Sequence, residues 1–260
     1  AIGAFLFYAR GDWLIAVGYP LGDEGSEAEF EEALAEALRC TRARDCWAIA
    51  PRLPPRLAGR REETDRYYVL PVAARIPPRL ERLADRAAAR LAVEETVVFD
   101  AAHRRLWAEF LGRVALPPRV RELYARIPAV LGRVPGLGLL SARDPEGRIA
   151  ACLLLDRAPR RFTSYLLGAH SRSPYTPYAT DLLFREMIRA ARREGKEFLH
   201  LGLGVNEGIR RFKEKWGASA GPAYELAAWR EGDGWRGEMS DLARLLARLP
   251  REPVSRQEFL

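Results

Sequence analysis

Lysine is almost missing from this chain: of 42 basic residues only Lys196, Lys213 and Lys215 are lysine, all in the second half, and the other 39 are arginine. Cysteine and histidine are equally scarce. Cys40, Cys46 and Cys152 are too few for a disulfide scaffold, and with only His103, His170 and His200 beside them no zinc-binding spacing appears, so no structural metal is expected. No uninterrupted apolar run reaches 18 residues, which excludes a membrane-spanning helix. Nothing near Ala1 has the basic and apolar regions of a secretory signal, so a cytoplasmic location is the default expectation.

What is present is an ordinary globular composition, 48% hydrophobic and 30% charged over 260 residues. That length allows one large domain or two modest ones. The formal charge of +7 suits attraction of RNA, a nucleotide cofactor or an anionic substrate, but arginine spread through helices also solvates them and covers their apolar flanks.

Along the chain, two β-prone runs flank Arg10-Gly11-Asp12 and predict an antiparallel pair at 4–9 and 13–18. Ser26 with Glu29 three residues on is a capping box, and Phe30, Leu34, Ala37 and Leu38 mark the apolar face of the helix it starts. Short strands follow at Cys46–Ala50 and Arg66–Leu70. Helices are predicted after Pro77-Pro78, around Leu106 and Phe110, and at 119–127. From Gly136 the pattern returns to strands: two runs around Asp144-Pro145-Glu146-Gly147, then Phe162–Leu167. Thr176-Pro177 reads as the start of a helix that Gly195 ends, Phe198–Leu201 as a strand, Asn206 as the cap of a short helix ending at Gly217, and 223–229 as a final strand.

The order near 4–70 recurs more fully near 138–229, a degenerate duplication. The segment LHLGLGVNEGIRRFKEKWGA resembles the C-terminal motif of the FemAB-like members of the GNAT superfamily of acyltransferases, in which a strand leads through glycines to a short helix bearing a Phe-Lys pair and a following aromatic-Gly. The resemblance covers about residues 136–229 and implies an α/β fold of tandem GNAT-like halves, mixed sheets flanked by helices. Its expected division is a degenerate N-terminal GNAT-like half at 1–78, a helical connecting segment at 79–134, and a C-terminal GNAT-like half with a terminal helix at 135–260. HSRSPYTPYAT departs from the family's usual pattern, because it lacks the Q/R-x-x-G-x-G/A loop that holds the pyrophosphate of acetyl-CoA. FemAB-like enzymes also lack that loop.

The resemblance implies acyl or aminoacyl transfer to a primary amine, in peptidoglycan or related cell-envelope metabolism, with acyl-CoA or aminoacyl-tRNA as donor. It also places Lys213 near the transferring carbonyl, where a cation stabilises the developing oxyanion. The residues themselves supply further candidates. His170 titrates near neutrality and suits a general base, or else satisfies a loop carbonyl. Tyr165, Ser171 and Tyr175 belong to the polar-aromatic interval that also holds His170 and suit substrate contacts. Phe212 walls an acyl channel or packs the core, and Arg211 and Lys215 meet phosphate or carboxylate or simply face solvent. Gly202, Gly204 and Asn206 bring backbone amides to a helix start, where they receive a cofactor's anion or merely make a tight connection. The alternative reading is a non-catalytic module that binds an acyl ligand or nucleic acid.

Overall fold

The computed structural model describes residues 1–22, 25–114, 118–173 and 175–230. The expected terminal helix lies outside the described residues. By packing, the described residues divide into two units: Ala1–Tyr67 with 221–230, and Tyr68–Ala220.

The first unit holds β1 (Leu6–Arg10), β2 (Trp13–Val17), α1 (Glu27–Thr41), β3 (Asp45–Ala50), a 3-10 turn at Pro55–Arg60, most of β4 (Arg61–Pro71) and most of β10 (Ser219–Arg230). Strands β1 and β2 pair antiparallel across the expected turn, β2 and β3 run parallel, and β10 pairs antiparallel with β3, setting Leu226 opposite Ile49. Helix α1 starts as its sequence dictates: the Ser26 hydroxyl accepts from the Glu29 amide at 3.2 Å, and the Glu29 carboxylate accepts from the Ser26 amide at 2.7 Å. Such a cap is worth about 1 kcal/mol. The apolar face of α1 buries Phe30, Leu34 and Ala37 against Phe5, Leu14 and Ala48.

In the second unit, α2 (Pro78–Ala88), β5 (Ala92–Thr96), α3 (Ala101–Arg113) and α4 (Pro118–Val130) precede a run of strands, β6 (Leu137–Arg143), β7 (Ile149–Asp156) and β8 (Phe162–His170). Then come α5 (Ala179–Arg193), β9 (Phe198–Leu203) and α6 (Glu207–Lys215). The strand order is β9-β8-β7-β6-β5, antiparallel except for the parallel β8–β9 contact. Alternate residues of β6 and β7 feed two cores. Leu140, Ala142, Leu153 and Leu155 pack with α2 and α5, whereas Leu139, Cys152 and Leu154 pack with Phe99, Leu106 and Trp107 of the α3 side. Each unit is thus a mixed sheet flanked by helices, the α/β class expected.

Three local expectations change. β4 begins at Arg61 rather than Arg66, and β5 was not foreseen because AVEET is short and half-exposed. Helix α5 starts two residues later than Thr176-Pro177 suggested, because Tyr178 takes a left-handed conformation (φ 63°) and becomes its N-cap.

Candidate active site

The central feature of the second unit is where β8 and β9 part. Against β7, β8 is paired from Ser164 to His170, with a register shift that leaves Leu166 as an extra residue between Tyr165 and Leu167. Such a bulge bends its strand. Against β9, only Phe162–Phe198, Thr163–Leu199 and Ser164–His200 are paired, although β8 runs on to His170 and β9 to Leu203. On the β9 side, Gly202 has φ +71°, a conformation costly for any residue with a Cβ, and the nearest heavy atom to a Cβ there is the Tyr165 carbonyl at 3.9 Å. The parted strands therefore open a slot whose backbone groups can meet an extended ligand. Leu166, 51% exposed, stands beside it.

Tyr165 lies at the root of this slot. Its hydroxyl is folded over Gly168, where an added Cβ would come within 2.6 Å of it, and its ring meets Phe184 edge-on at 5.5 Å. That hydroxyl makes no hydrogen bond among the described residues. Burial raises its pKa, so at neutral pH it remains a phenol able to donate. Phe212 meets the same Phe184 ring from another side at 4.7 Å, a packing role for a half-buried residue.

After β9 the chain makes a tight turn. The Asn206 amide donates to the Gly204 carbonyl at 2.7 Å, which leaves Val205 at φ 58°, a rare conformation for a β-branched residue. Asn206 then caps α6, accepting from the Ile209 amide at 2.9 Å. In the last turn of α6, Lys213 is buried at 3% exposure. Its Nζ donates to the Leu203 carbonyl at 2.5 Å and lies 5.6 Å from the Tyr68 ring centre. Tyr68 is held in turn, its hydroxyl donating to Glu214 at 3.2 Å. A buried ammonium is thus fixed at the end of the strand that borders the slot. Burial and then the Lys213 charge lower the pKa of His200, leaving its imidazole neutral and able to accept a proton at pH 7.

The other candidates are more dispersed. Lys215 is 2.7 Å from the Asp181 carboxylate and 4.4 Å from the Phe212 ring, and Arg211 pairs with Glu207 on the exposed side of α6. Tyr175 is 48% exposed. The Ser171 hydroxyl donates to Glu109 at 2.8 Å, and the Arg172 amide donates to the same carboxylate at 2.6 Å. His170 ends β8, six residues beyond Ser164, the last residue of β8 that pairs with β9. The fold therefore gathers Tyr165, Gly202, Phe212 and Lys213 around the slot and its borders, while Lys215, Arg211 and Ser171 have internal partners.

Tyr68, Phe184 and Val205 were not singled out from sequence, and neither was His200. The hydrophobic pattern announced the first two only as core, and nothing local marked the third. His103 is 2% exposed: its Nδ1 lies 2.8 Å from Asp100 and its Nε2 3.0 Å from the Ser141 hydroxyl, which donates to Cys152 Sγ at 3.4 Å. This Asp-His-Ser order resembles a nucleophilic triad, but Ser141 is fully buried and burial pushes the Cys152 thiol up to about 11, so the array is structural. A separate cavity of about 430 Å³ is lined by Arg75, Ile76, Pro78, Glu81, Arg82 and Arg192 and includes none of the candidates. Among the described residues, no cluster of His, Cys, Asp or Glu is arranged to hold a metal ion, and no helix is long and apolar enough to cross a membrane.

The family model of the GNAT acetyltransferase domain matches residues 61–214, more than half of the chain. The chain belongs to the GNAT family. GNAT acyltransferases use an acyl donor and an amine acceptor, and the parted β8 and β9 lie within the matched segment. No curated protein matches the sequence. Among solved structures, L-PGS from Bacillus licheniformis is 16% identical with a TM-score of 0.58, covering 94% of this chain and 86% of that one. FemX is 12% identical with a TM-score of 0.60, covering 85% and 83%. A tandem GNAT protein from the clavulanic acid biosynthesis pathway is 12% identical with a TM-score of 0.55, covering 86% and 77%. At these identities the likeness is one of fold.

Proposed function

We propose that this GNAT protein is a FemAB-like enzyme that transfers an acyl or aminoacyl group to a primary amine, in peptidoglycan or related cell-envelope metabolism. The observation that carries the reading is the open slot between β8 and β9 with the buried Lys213 ammonium fixed at its border. The donor's carbonyl lies in the slot, and a neutral amine attacks its carbon. The new C–N bond forms as the C–O bond of an ester or the C–S bond of a thioester breaks. Lys213 supplies positive potential to the oxygen that becomes negative, and the unpaired Tyr165 hydroxyl is the group free to donate to it. The amine's proton passes to an imidazole and then to the leaving oxygen or sulfur. His170 is the sequence candidate for that base; His200, whose pKa is lowered by burial and by the Lys213 charge, is the second.

Between the two donors, the loop after β8 favours aminoacyl-tRNA over acyl-CoA. There Glu109 already occupies the Ser171 hydroxyl and the Arg172 amide, so a carboxylate stands among donors that a pyrophosphate would need. The names of the fold neighbours FemX and L-PGS agree with an envelope role. Turnover measured on panels of aminoacyl-tRNA and acyl-CoA donors with primary-amine acceptors tests the reading. Transfer from aminoacyl-tRNA is the expected result. Binding of donors with no transfer from any of them would replace the enzyme reading with the non-catalytic module.

A further inference from the structure

Glu63 on β4 has a carboxylate oxygen, Oε2, that is buried and without a hydrogen-bond partner among the described residues. In a chain with 39 arginines this is unexpected, and the nearby cations are engaged elsewhere: Arg61 pairs with Glu225 at 3.0 Å, and Arg66 donates to the Gly221 carbonyl at 3.0 Å. Alternation along β4 puts Glu63, Asp65 and Tyr67 on one face. Tyr67 is flanked by two further rings, Tyr19 at 5.7 Å and Tyr224 at 5.6 Å, both edge-on. The Tyr19 hydroxyl donates to the Ala223 carbonyl at 2.6 Å and is also hydrogen-bonded to Tyr67. Tyr224, 3% exposed, makes no hydrogen bond through its hydroxyl among the described residues, and Glu63 is the foremost charge acting on it.

A buried carboxylate oxygen without a partner costs free energy. With the Tyr224 hydroxyl it offers two acceptor atoms beside aromatic rings. Anions and neutral carbonyls gain little from such a place, whereas an ammonium group can donate to both oxygens while its charge and adjoining methylenes lie against the rings. We propose that Glu63, Tyr224, Tyr67 and Tyr19 form a binding site for a primary alkylammonium group, borne by a small amine or by a lysine side chain of a polypeptide. The site stands independently of the acyl-transfer reading.

Burial, with help from Asp65 and Glu62, lifts the Glu63 carboxyl to about 7. The groups acting on this region are acids and phenols: Glu62, Asp65 and Tyr67 from β4, Tyr224 and Glu225 from β10, and Tyr19. Binding requires the carboxylate, so affinity should fall about tenfold between pH 8 and pH 6 as Glu63 takes up its proton.

Calorimetric titration of the full chain with n-butylammonium chloride, and separately with Nα-acetyl-lysine amide, tests the site. Saturable binding at pH 8 is expected, weakened about tenfold or more in Glu63→Gln and severalfold in Tyr224→Phe. Butylammonium binding identifies a small amine as sufficient, and binding of the lysine amide alone identifies a peptide side chain. Because Glu63 Oε2 has no hydrogen-bond partner among the described residues, Glu63→Gln should melt at or above the wild-type temperature at pH 8. Equal affinity in Glu63→Gln, equal binding of neutral n-pentanol, or no saturable binding of either cation would overturn the proposal.

Discussion

Replacing Lys213 by methionine separates the electrostatic role of the ammonium from its part in packing. The unbranched methionine chain retains the apolar stem over Tyr68, while the charge and its bond to the Leu203 carbonyl are lost. Stranding that carbonyl costs about 1–3 kcal/mol, and removing a buried cation that had to be desolvated returns part of it. The net loss of stability should stay below about 3 kcal/mol. In a chain of 260 residues each kcal/mol moves the melting temperature by roughly 2–4 °C, so the variant should remain folded at 25 °C. Loss of a donor or cation at a developing oxyanion costs about 100- to 1,000-fold in turnover, close to 3–4 kcal/mol of barrier. The assay is aminoacyl or acyl transfer by wild type and Lys213→Met side by side, with urea unfolding of both. A folded variant with turnover within about threefold of wild type would refute the electrostatic role of Lys213.

His200→Gln should abolish the acidic limb of the pH–rate profile, whereas His170→Gln should retain it. The base works when neutral, and the lowered pKa of His200 places that limb below the usual histidine value, so activity should be level near pH 7 and fall on further acidification. An unchanged profile in His200→Gln would rule out that base. Ser141→Ala strands the His103 imidazole in the core and should cost about 1–3 kcal/mol in urea unfolding; an effect below about 0.5 kcal/mol would mean that the buried array contributes little. Gly202→Ala should cost about 1–2 kcal/mol through its positive φ alone, since no atom lies closer than 3.9 Å to the added methyl; a neutral effect would mean the turn relaxes.

Much of the local structure was legible because short-range chemistry dictates it. Ser26 with Glu29 and Asn206 with Ile209 satisfy helix-end amides from within four residues, so their caps could be read directly. Gly217, at φ +92°, ends α6 as its lack of a Cβ suggested. The short strand β5 escaped notice because its alternation is weak and its pairing with β6 comes from residues far along the chain. Tyr178 displaced the expected start of α5 because its left-handed conformation is imposed by its surroundings and contradicts its own preference. At the site, the motif drew attention to Lys213, but its sequence did not distinguish a solvated lysine from one at 3% exposure.

The sequence by itself determined the α/β class, most helix and strand positions, and the family resemblance, because hydrophobic period, caps and turn residues act over a few positions. Tertiary structure alone decided that β8 and β9 part after three pairs, that Lys213 is clamped between Leu203 and Tyr68, and that Glu63 is left without a partner. Each of these depends on which distant groups exclude water and which charges find one another, and that is settled only when the strands and helices pack.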